Sequence, residues 1–533
     1  MHWVLLILFV VGASCLIMLP ILLMGYPFDV SGSLKYGQVF VDTGRIVDAR
    51  EPLLPLILAF FHPFIAWNNV NAWVAVSVGW FCAAMLPLWW CVRMLFDRKT
   101  AWFSVAVFAL LPLSWLNAYS IGGFSFVFLP FFLCCGIFIR FHAKQPLLTC
   151  IVCGLFFGMT LGVQHSFLAF MPWFALGYLW QERKHLLRSM VRVGLFCIAA
   201  YVMFASPYIP DALKPGLSPV ERIMVFSPLA KQAKPGEGHL YPDEFLYGHY
   251  KKEYDAEMEK NVPTRSFLKN QEDLNYRIIF GAGHFTIVDR MISGTWLLLN
   301  NIPQFFTMDF VGGSFLWLFI LPGIAIMWRT HRMLTLYIGG LIFTMEILLR
   351  FVLLFTSSHI DNYEWALAMF AGIGIATIIG TLAHAWKLSA RKSALLTVFV
   401  MCMIGLQLLQ ATRKDLARLY ARSRTPQVFA ATEAFKSIPP DAVVANPRRD
   451  DFFIFSPQKY VSVHPVTIEF LSKRGKLAEP FDFYRVQYII GYTKEQERMI
   501  KKAAPYVKVV ELPETPPVPP LSTFVRYLLN TIR

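Results

Sequence analysis

GYPFDVSGSLKYGQVFVDTGRIVDAREPLLPLILAFF, residues 25–61, follows directly on an apolar run long enough to cross a bilayer. It holds four carboxylates, Asp29, Asp42, Asp48 and Glu51. How this stretch is read fixes the topology of everything after it. Its second half runs into PLLPLILAFFHPFIAW, residues 52–67, which is apolar but broken by Pro55 and Pro63. It is also short of the roughly 20 residues a crossing needs. Taken as a span it would invert every later loop, so it is placed as an interfacial or re-entrant piece.

Of the 533 residues, 56% are apolar, 16% aromatic and only 16% charged. That is more apolar side chain than a soluble chain of this length buries, and it predicts a polytopic α-helical membrane protein. About eleven spans are expected, near 3–25, 71–95, 101–118, 120–140, 147–163, 165–181, 190–206, 310–328, 333–356, 363–386 and 394–411. GASC at 12–15 faintly resembles a lipoprotein box, but no positive segment precedes it, and the first run reads as an ordinary span.

Short loops that stay in the cytoplasm keep Lys and Arg. With the N-terminus inside, the inner loops hold Arg93, Arg98, Lys99, Arg140, Lys144, Arg183, Lys184, Arg188, Arg192, Arg329, Arg332, Lys387, Arg391 and Lys392. The short outer loops hold none, and the opening stretch has only Lys35, Arg45 and Arg50. This orientation puts outside the opening loop 26–70 with its interfacial helices, a long loop 207–290 and the C-terminal region. The net charge of +15 resides largely in these inner anchors, so nucleic acid is not an indicated partner. All nine cysteines fall in apolar segments, with no disulfide framework and no zinc spacing.

The expected organisation is a membrane domain over 1–411 and a soluble extracytoplasmic α/β domain over 412–533. In the latter, AVVAN, FFIF, YVSV, YIIGY and VKVVEL read as short strands, with helical TPQVFAATEAFKSIP before them and TKEQERMIKKAA between the last two. PETPPVPP reads as an extended linker. Asp450-Asp451, after NPRR, reads as a turn rather than a metal box.

In the opening loop, Asp29 stands a few residues past the first span, where water meets lipid headgroups. A carboxylate there reaches both a lipid head and a soluble molecule. SGSLKYGQVFVDTG reads as a capped, short surface helix carrying Lys35 and Tyr36, with Leu34 and Val41 as apolar positions.

This layout resembles the GT-C superfamily of polyprenyl-phosphate-sugar-dependent glycosyltransferases, in particular the protein O-mannosyltransferase and aminoarabinose transferase group. The resemblance is carried by Asp29 after the first span, Tyr36 and DTGRI on the next helix, REPLLPLI before the second, GLFFGMTLGVQHSFLAFMPWFALGYL at 154–179 and RFVLLFTSSHIDNYEWALAMF at 350–370. It implies an integral protein of a bacterial inner or plasma membrane, working in the cell envelope. The activity implied is transfer of a hexosyl or pentosyl unit from a polyprenyl-phosphate donor to a hydroxyl or similar acceptor on lipid, glycan or protein.

Such chemistry needs a base for the acceptor proton and cations for the leaving phosphate. Asp29 is the expected base. Arg350, His359, His165 and Lys35 are the expected phosphate ligands, and Tyr36, Arg50 and Glu364 stand on the acceptor side or in support. Attack opposite the phosphate inverts the anomeric centre. Many relatives carry an Asp-Glu pair where this chain has Asp29-Val30, which leaves Asp29 as the single carboxylate. No cofactor is certain: a divalent metal is possible but not indicated, because no second carboxylate motif is clearly placed to help, and metal dependence stays open. Asp42, Asp48 and Glu51 read as solvated or capping residues. The competing classes are a transporter or lipid flippase, a receptor or scaffold, and a polysaccharide polymerase or ligase using a diphosphate-linked donor. The first leaves the charged opening loop, the long outer loop and the outer α/β domain without a purpose, the second stays open wherever an outer domain is present, and the third calls for its basic cluster in large late loops.

Overall fold

The computed structural model describes residues 2–24, 33–44, 46, 52–67, 69–209, 313–347, 363–421, 425–447, 450–453 and 456–512, with isolated positions between 245 and 299. Each of the eleven apolar runs is helical within these limits. The helices are α1 (His2–Met24), α2 (Ser33–Thr43), α3 (Leu54–Phe61), α4 (Val70–Ala83), α5 (Met85–Leu95), α6 (Arg98–Leu110) and α7 (Pro112–Tyr119). Then come α8 (Gly123–Phe141), α9 (Pro146–Val163), α10 (Phe170–Gln181), α11 (Leu186–Ala205), α12 (Gly313–Thr330), α13 (Arg332–Ile347), α14 (Glu364–Ala385) and α15 (Ala390–Ala421). Among the described residues seven helices are long and apolar enough to cross a membrane by themselves, and α6 with α7 makes an eighth that is bent by 62°.

That bend departs from the single straight span expected over 101–118. Pro112 has no N–H and its ring collides with the preceding turn, so the helix cannot run through. Leu111 takes the extended conformation (φ −59°, ψ 130°) that a following proline favours. The stretch 52–67 is the short α3 followed by one 3-10 turn at His62–Phe64, too short to cross. The last part of the expected span 333–356 lies outside the described residues.

Large apolar side chains such as Leu8 on α1, Leu187 on α11 and Phe399 on α15 stand exposed along whole helix faces. Water tolerates no apolar area of that extent, whereas a bilayer requires it. Because lipid tails are as apolar as Leu, helices there associate through close packing at small residues. Gly154 and Gly158 lie one turn apart on α9, and a Cβ on either would run into the Phe196 or Ala200 carbonyl of α11. Gly323 of α12 and Gly374 of α14 meet in the same way, each against the other helix's backbone. Several buried hydroxyls turn to carbonyls, Ser77 donating to Ala118 at 2.9 Å and Ser104 to Thr100 at 2.9 Å, which spares them the cost of an unmet polar group in the apolar layer.

At 1.5 Å per residue the 32-residue α15 is about 48 Å long, well beyond a hydrocarbon layer of about 30 Å. Past it come α16 (Thr425–Phe435) and four strands, β1 (Val443–Asn446), β2 (Lys459–Ser462), β3 (Tyr488–Ile489) and β4 (Lys508–Val509). These form one parallel sheet in the order β2-β1-β3-β4. Parallel neighbours need crossover connections: α17 (Pro465–Ser472) and α18 (Glu479–Phe483) lie between β2 and β3 and α19 (Lys494–Ala503) between β3 and β4, while the β1–β2 connection contains a 3-10 turn. FFIF, expected as a strand, is partly a 3-10 turn over Asp450–Phe453. Phe452 and Phe453 are fully buried against the sheet, so the run is apolar because it is covered. Periodicity does not separate that case from a short strand. On the other face of the sheet, Phe245, Leu246, Tyr250 and Tyr254 of the long loop join the core of Ala445, Val461, Ile468 and Ile489. Tyr250 donates to Glu479 and lies under Lys476, whose Nζ is 4.7 Å from the ring centroid.

Gly158→Val forces α9 and α11 apart and should cost about 1–3 kcal/mol. The expected readout is a thermal midpoint in detergent lowered by several degrees, with Gly194→Ala, which meets nothing within 4 Å, unchanged.

Candidate functional site

The end of the helical domain that the charge rule puts outside is assembled from segments far apart in sequence. The first is Pro52–Leu54. Leu53 N–H donates to the Gly162 carbonyl at 2.8 Å, taking one of the carbonyls that the end of α9 leaves without an intrahelical partner. A Cβ at Gly162 would overlap the Leu53 side chain, so only glycine lets the two backbones approach. Leu53, Leu54 and Leu58 are buried.

The second segment is α2, the surface helix expected over SGSLKYGQVFVDTG. It ends at Gly44, which adopts φ +66° and whose N–H returns to the Phe40 carbonyl at 2.7 Å, a left-handed cap that glycine accepts without strain. Gly37 brings α2 onto α3: a Cβ there would stand 2.9 Å from Leu58 Cβ and from the Trp67 ring. His62 stacks on Trp67 (4.5 Å, 12°) and Trp67 on Trp73 (5.1 Å, 11°), a ladder that ties α3 to α4. Leu34 is buried, while Val41 and Asp42 face outward.

The third segment is the 3-10 turn His165–Ala169 with the first turn of α14. Phe167 stacks on Phe170 (4.9 Å, 4°), Phe170 on Trp365 (6.4 Å, 30°), and Phe131 packs edge-on against Phe167 at 5.1 Å. These rings bring the His165 turn beside Glu364, the first residue of α14. Tyr363, fully buried, donates to Glu346 Oε1 near the end of α13 at 2.6 Å. Glu364 itself has no solvent exposure. A carboxylate buried so completely keeps its charge only where a cation or several donors answer it. The chain between Glu346 and Glu364 contains Arg350 and His359.

Of the residues expected in the site, Asp29, Arg50, Arg350 and His359 lie outside the described residues. Lys35 in α2 and His165 in the 3-10 turn are placed by their backbone only. Tyr36 is half-buried in α2, and Glu364 is buried at the head of α14. The structure therefore gathers the backbone of the His165 turn, Glu364 and the continuation of the opening stretch at one end. The Tyr363–Glu346 hydrogen bond was missed by sequence reasoning. The adjacency of Tyr363 to Glu364 was its one available sign.

Beneath this end lies a cavity of about 660 Å³ between α5, α8, α10, α13 and α14. Its size is within the range of about 300–1,000 Å³ typical of ligand sites. The upper wall is Phe131, Phe170, Trp365 and Met369, and the lower wall reaches Leu95, Tyr178 and Arg332. Among the described residues no three His, Cys, Asp or Glu side chains are grouped so as to hold a metal ion.

No protein-family model matches the chain, and no curated protein matches it in sequence. Solved structures are similar to it. The apo oligosaccharyltransferase of Archaeoglobus fulgidus aligns with a TM-score of 0.52 at 12% identity, over 90% of this chain and 69% of that one. AglB, the oligosaccharyltransferase of the same archaeon, in complex with an inhibitory peptide and a dolichol-phosphate, gives 0.50 at 11% identity over the same shares. ArnT from Cupriavidus metallidurans bound to undecaprenyl phosphate gives 0.46 at 12% identity, over 95% and 89%. At such identities the shared property is the fold. The chain has the multi-span membrane fold of the oligosaccharyltransferase, which is the fold that the GT-C resemblance implies.

Tyr363→Phe removes one donor from the half-buried Glu346 carboxylate and should cost about 1–3 kcal/mol. Differential scanning fluorimetry in detergent is expected to show a lower midpoint; an unshifted one contradicts a buried, formed hydrogen bond.

Proposed function

We propose that this protein is an integral-membrane glycosyltransferase that takes a sugar from a polyprenyl-phosphate donor and passes it to a hydroxyl or similar acceptor. The reaction takes place at the end where Leu53 meets Gly162. In this reading the N-terminus is cytoplasmic, and the opening loop and the C-terminal domain are extracytoplasmic. The observation that carries the proposal is the Leu53–Gly162 backbone hydrogen bond. It fixes the chain two residues past Glu51 against the helix end that leads into His165, which supports one site shared by the acidic opening stretch and the His165 turn. The fold held in common with an archaeal protein crystallised with dolichol-phosphate supports a lipid-phosphate donor.

Asp29 accepts the proton of the acceptor hydroxyl as that oxygen attacks the anomeric carbon. The bond from that carbon to the phosphate oxygen breaks, and the electron pair leaves with the lipid phosphate. Arg350, His359, His165 and Lys35 meet the negative charge that gathers there. Attack from the face opposite the phosphate inverts the anomeric centre. Tyr36 and Arg50 lie on the acceptor side, and Glu364 orients a neighbouring cation. The donated unit is a hexosyl or pentosyl group, and the acceptor is a lipid, a glycan or a protein hydroxyl.

Asp29→Asn keeps the shape of the side chain and removes the base. Turnover of a polyprenyl-phosphate sugar by the reconstituted protein is expected to fall by about 100-fold or more, with thermal stability unchanged. A variant that folds and retains wild-type turnover removes Asp29 from the mechanism. No turnover by the wild type with any polyprenyl-phosphate sugar, together with transport of the lipid across the bilayer, favours a flippase instead.

A further inference from the structure

The 660 Å³ cavity has two unlike ends. At one, Phe131, Trp365 and Met369 are each less than a tenth exposed, and their rings and side chains close it. At the other, the lining passes to Thr330, Arg332 and Met333, all exposed, and to the half-buried His331. The mouth is therefore at the basic end of the helix bundle. The lining contributed by α13 runs from Arg332 to Leu341, ten residues whose ends are about 14 Å apart along the helix. Half of a hydrocarbon layer of about 30 Å is about 15 Å, so the cavity is one leaflet deep.

The mouth is positively charged. The Arg332 guanidinium lies over the Trp328 ring at 4.9 Å from its centroid. His331 is held by the Leu95 carbonyl at 2.9 Å through Nε2. Arg192 donates to the hydroxyl of Tyr178, a lining residue, at 3.2 Å. Two carboxylates at this end are already engaged. Asp97 accepts from the Thr100 amide at 2.7 Å as the cap of α6, and Glu182 stands 3.9 Å from Arg192.

We propose that this cavity binds one acyl chain of an anionic glycerophospholipid from the leaflet at the basic end, with the lipid phosphate at Arg332. Basic mouths between membrane helices attract such headgroups, and the depth matches a chain of that leaflet. The sugar carrier does not suit the site. A chain entering through this mouth stops at the Phe131–Trp365 wall, which leaves its phosphate at the opposite end from His165 and Glu364. The bound chain fills the space between α10 and α13, whose direct contact depends on Gly177 under Tyr337 and Gly340 under Trp173. The lipid thereby holds α13 in place, and with it Glu346 near the far end of that helix.

The test uses the full chain purified in detergent and offered phosphatidylglycerol, phosphatidylcholine or undecaprenyl phosphate in turn. Native mass spectrometry reads retention, and scanning fluorimetry reads stability. Phosphatidylglycerol is expected to be retained several-fold more than phosphatidylcholine and to raise the midpoint by several degrees. Arg332→Gln should cut that retention several-fold, and Leu334→Trp, which fills the mouth, should abolish it while leaving the circular dichroism spectrum unchanged. Equal retention of the two phospholipids overturns the proposal. So does retention of phosphatidylglycerol untouched by Leu334→Trp, or displacement of phosphatidylglycerol by undecaprenyl phosphate. Should Arg332→Gln fail to accumulate, Leu334→Trp decides the matter alone.

Discussion

The amide of Leu53 on the carbonyl of Gly162 is the contact on which the arrangement of the proposed site rests. A helix end in or near lipid exposes carbonyls that no water in the apolar layer can satisfy, and α9 solves this at Gly162 with a peptide from the opening stretch. The absent Cβ of Gly162 and the buried Leu53 side chain set the approach. Pro52 and Leu53 are thereby held beside the helix end that leads into the His165 turn, and the chain that follows begins α3. The α3 helix in turn docks on α2 through Gly37 and on α4 through the His62–Trp67–Trp73 stack.

Below that contact the helices hold one another by close approach rather than by exclusion of water. The α9–α11 and α12–α14 crossings bring backbone against backbone at glycine, where dispersion replaces the missing hydrophobic drive. Aromatic rings fill the centre: Phe81, Phe108 and Phe128 pack mutually, and Phe131, Phe167, Phe170 and Trp365 carry the packing up to the buried Glu364. The cavity lies where this aromatic filling stops. Its blind end therefore borders the proposed reaction site, whereas its mouth faces the opposite leaflet's headgroups.

Much of this was legible in the sequence because membrane helices announce themselves by apolar length. The runs at 120–140 and 147–163 correspond closely to α8 and α9, and the proline-broken 52–67 reads correctly as too short to cross. Pro112 was equally visible, but whether a proline bends a span or is absorbed depends on its neighbours, and the 62° break was not foreseen. FFIF misled because an apolar tetrad covered by a sheet looks like a strand in it. At the site, the residue types came from a resemblance, while the pairings came from tertiary structure. Leu53 with Gly162, and Tyr363 with Glu346, are matches of hydrogen-bonding need across long sequence separations, and no periodicity carries that information. Asp29, Arg50, Arg350 and His359 lie outside the described residues, so their roles rest on the sequence and on the segments that flank them.

The account's central claim is that a lipid phosphate sits at the end where Leu53 meets Gly162. Photo-crosslinking with a polyprenyl phosphate bearing a diazirine next to its phosphate, followed by peptide mapping, addresses that claim most directly. Labelling is predicted in peptides covering 25–54, 162–170 and 346–365. Labelling confined to peptides 140–145 and 329–334, at the basic end of the bundle, would contradict it.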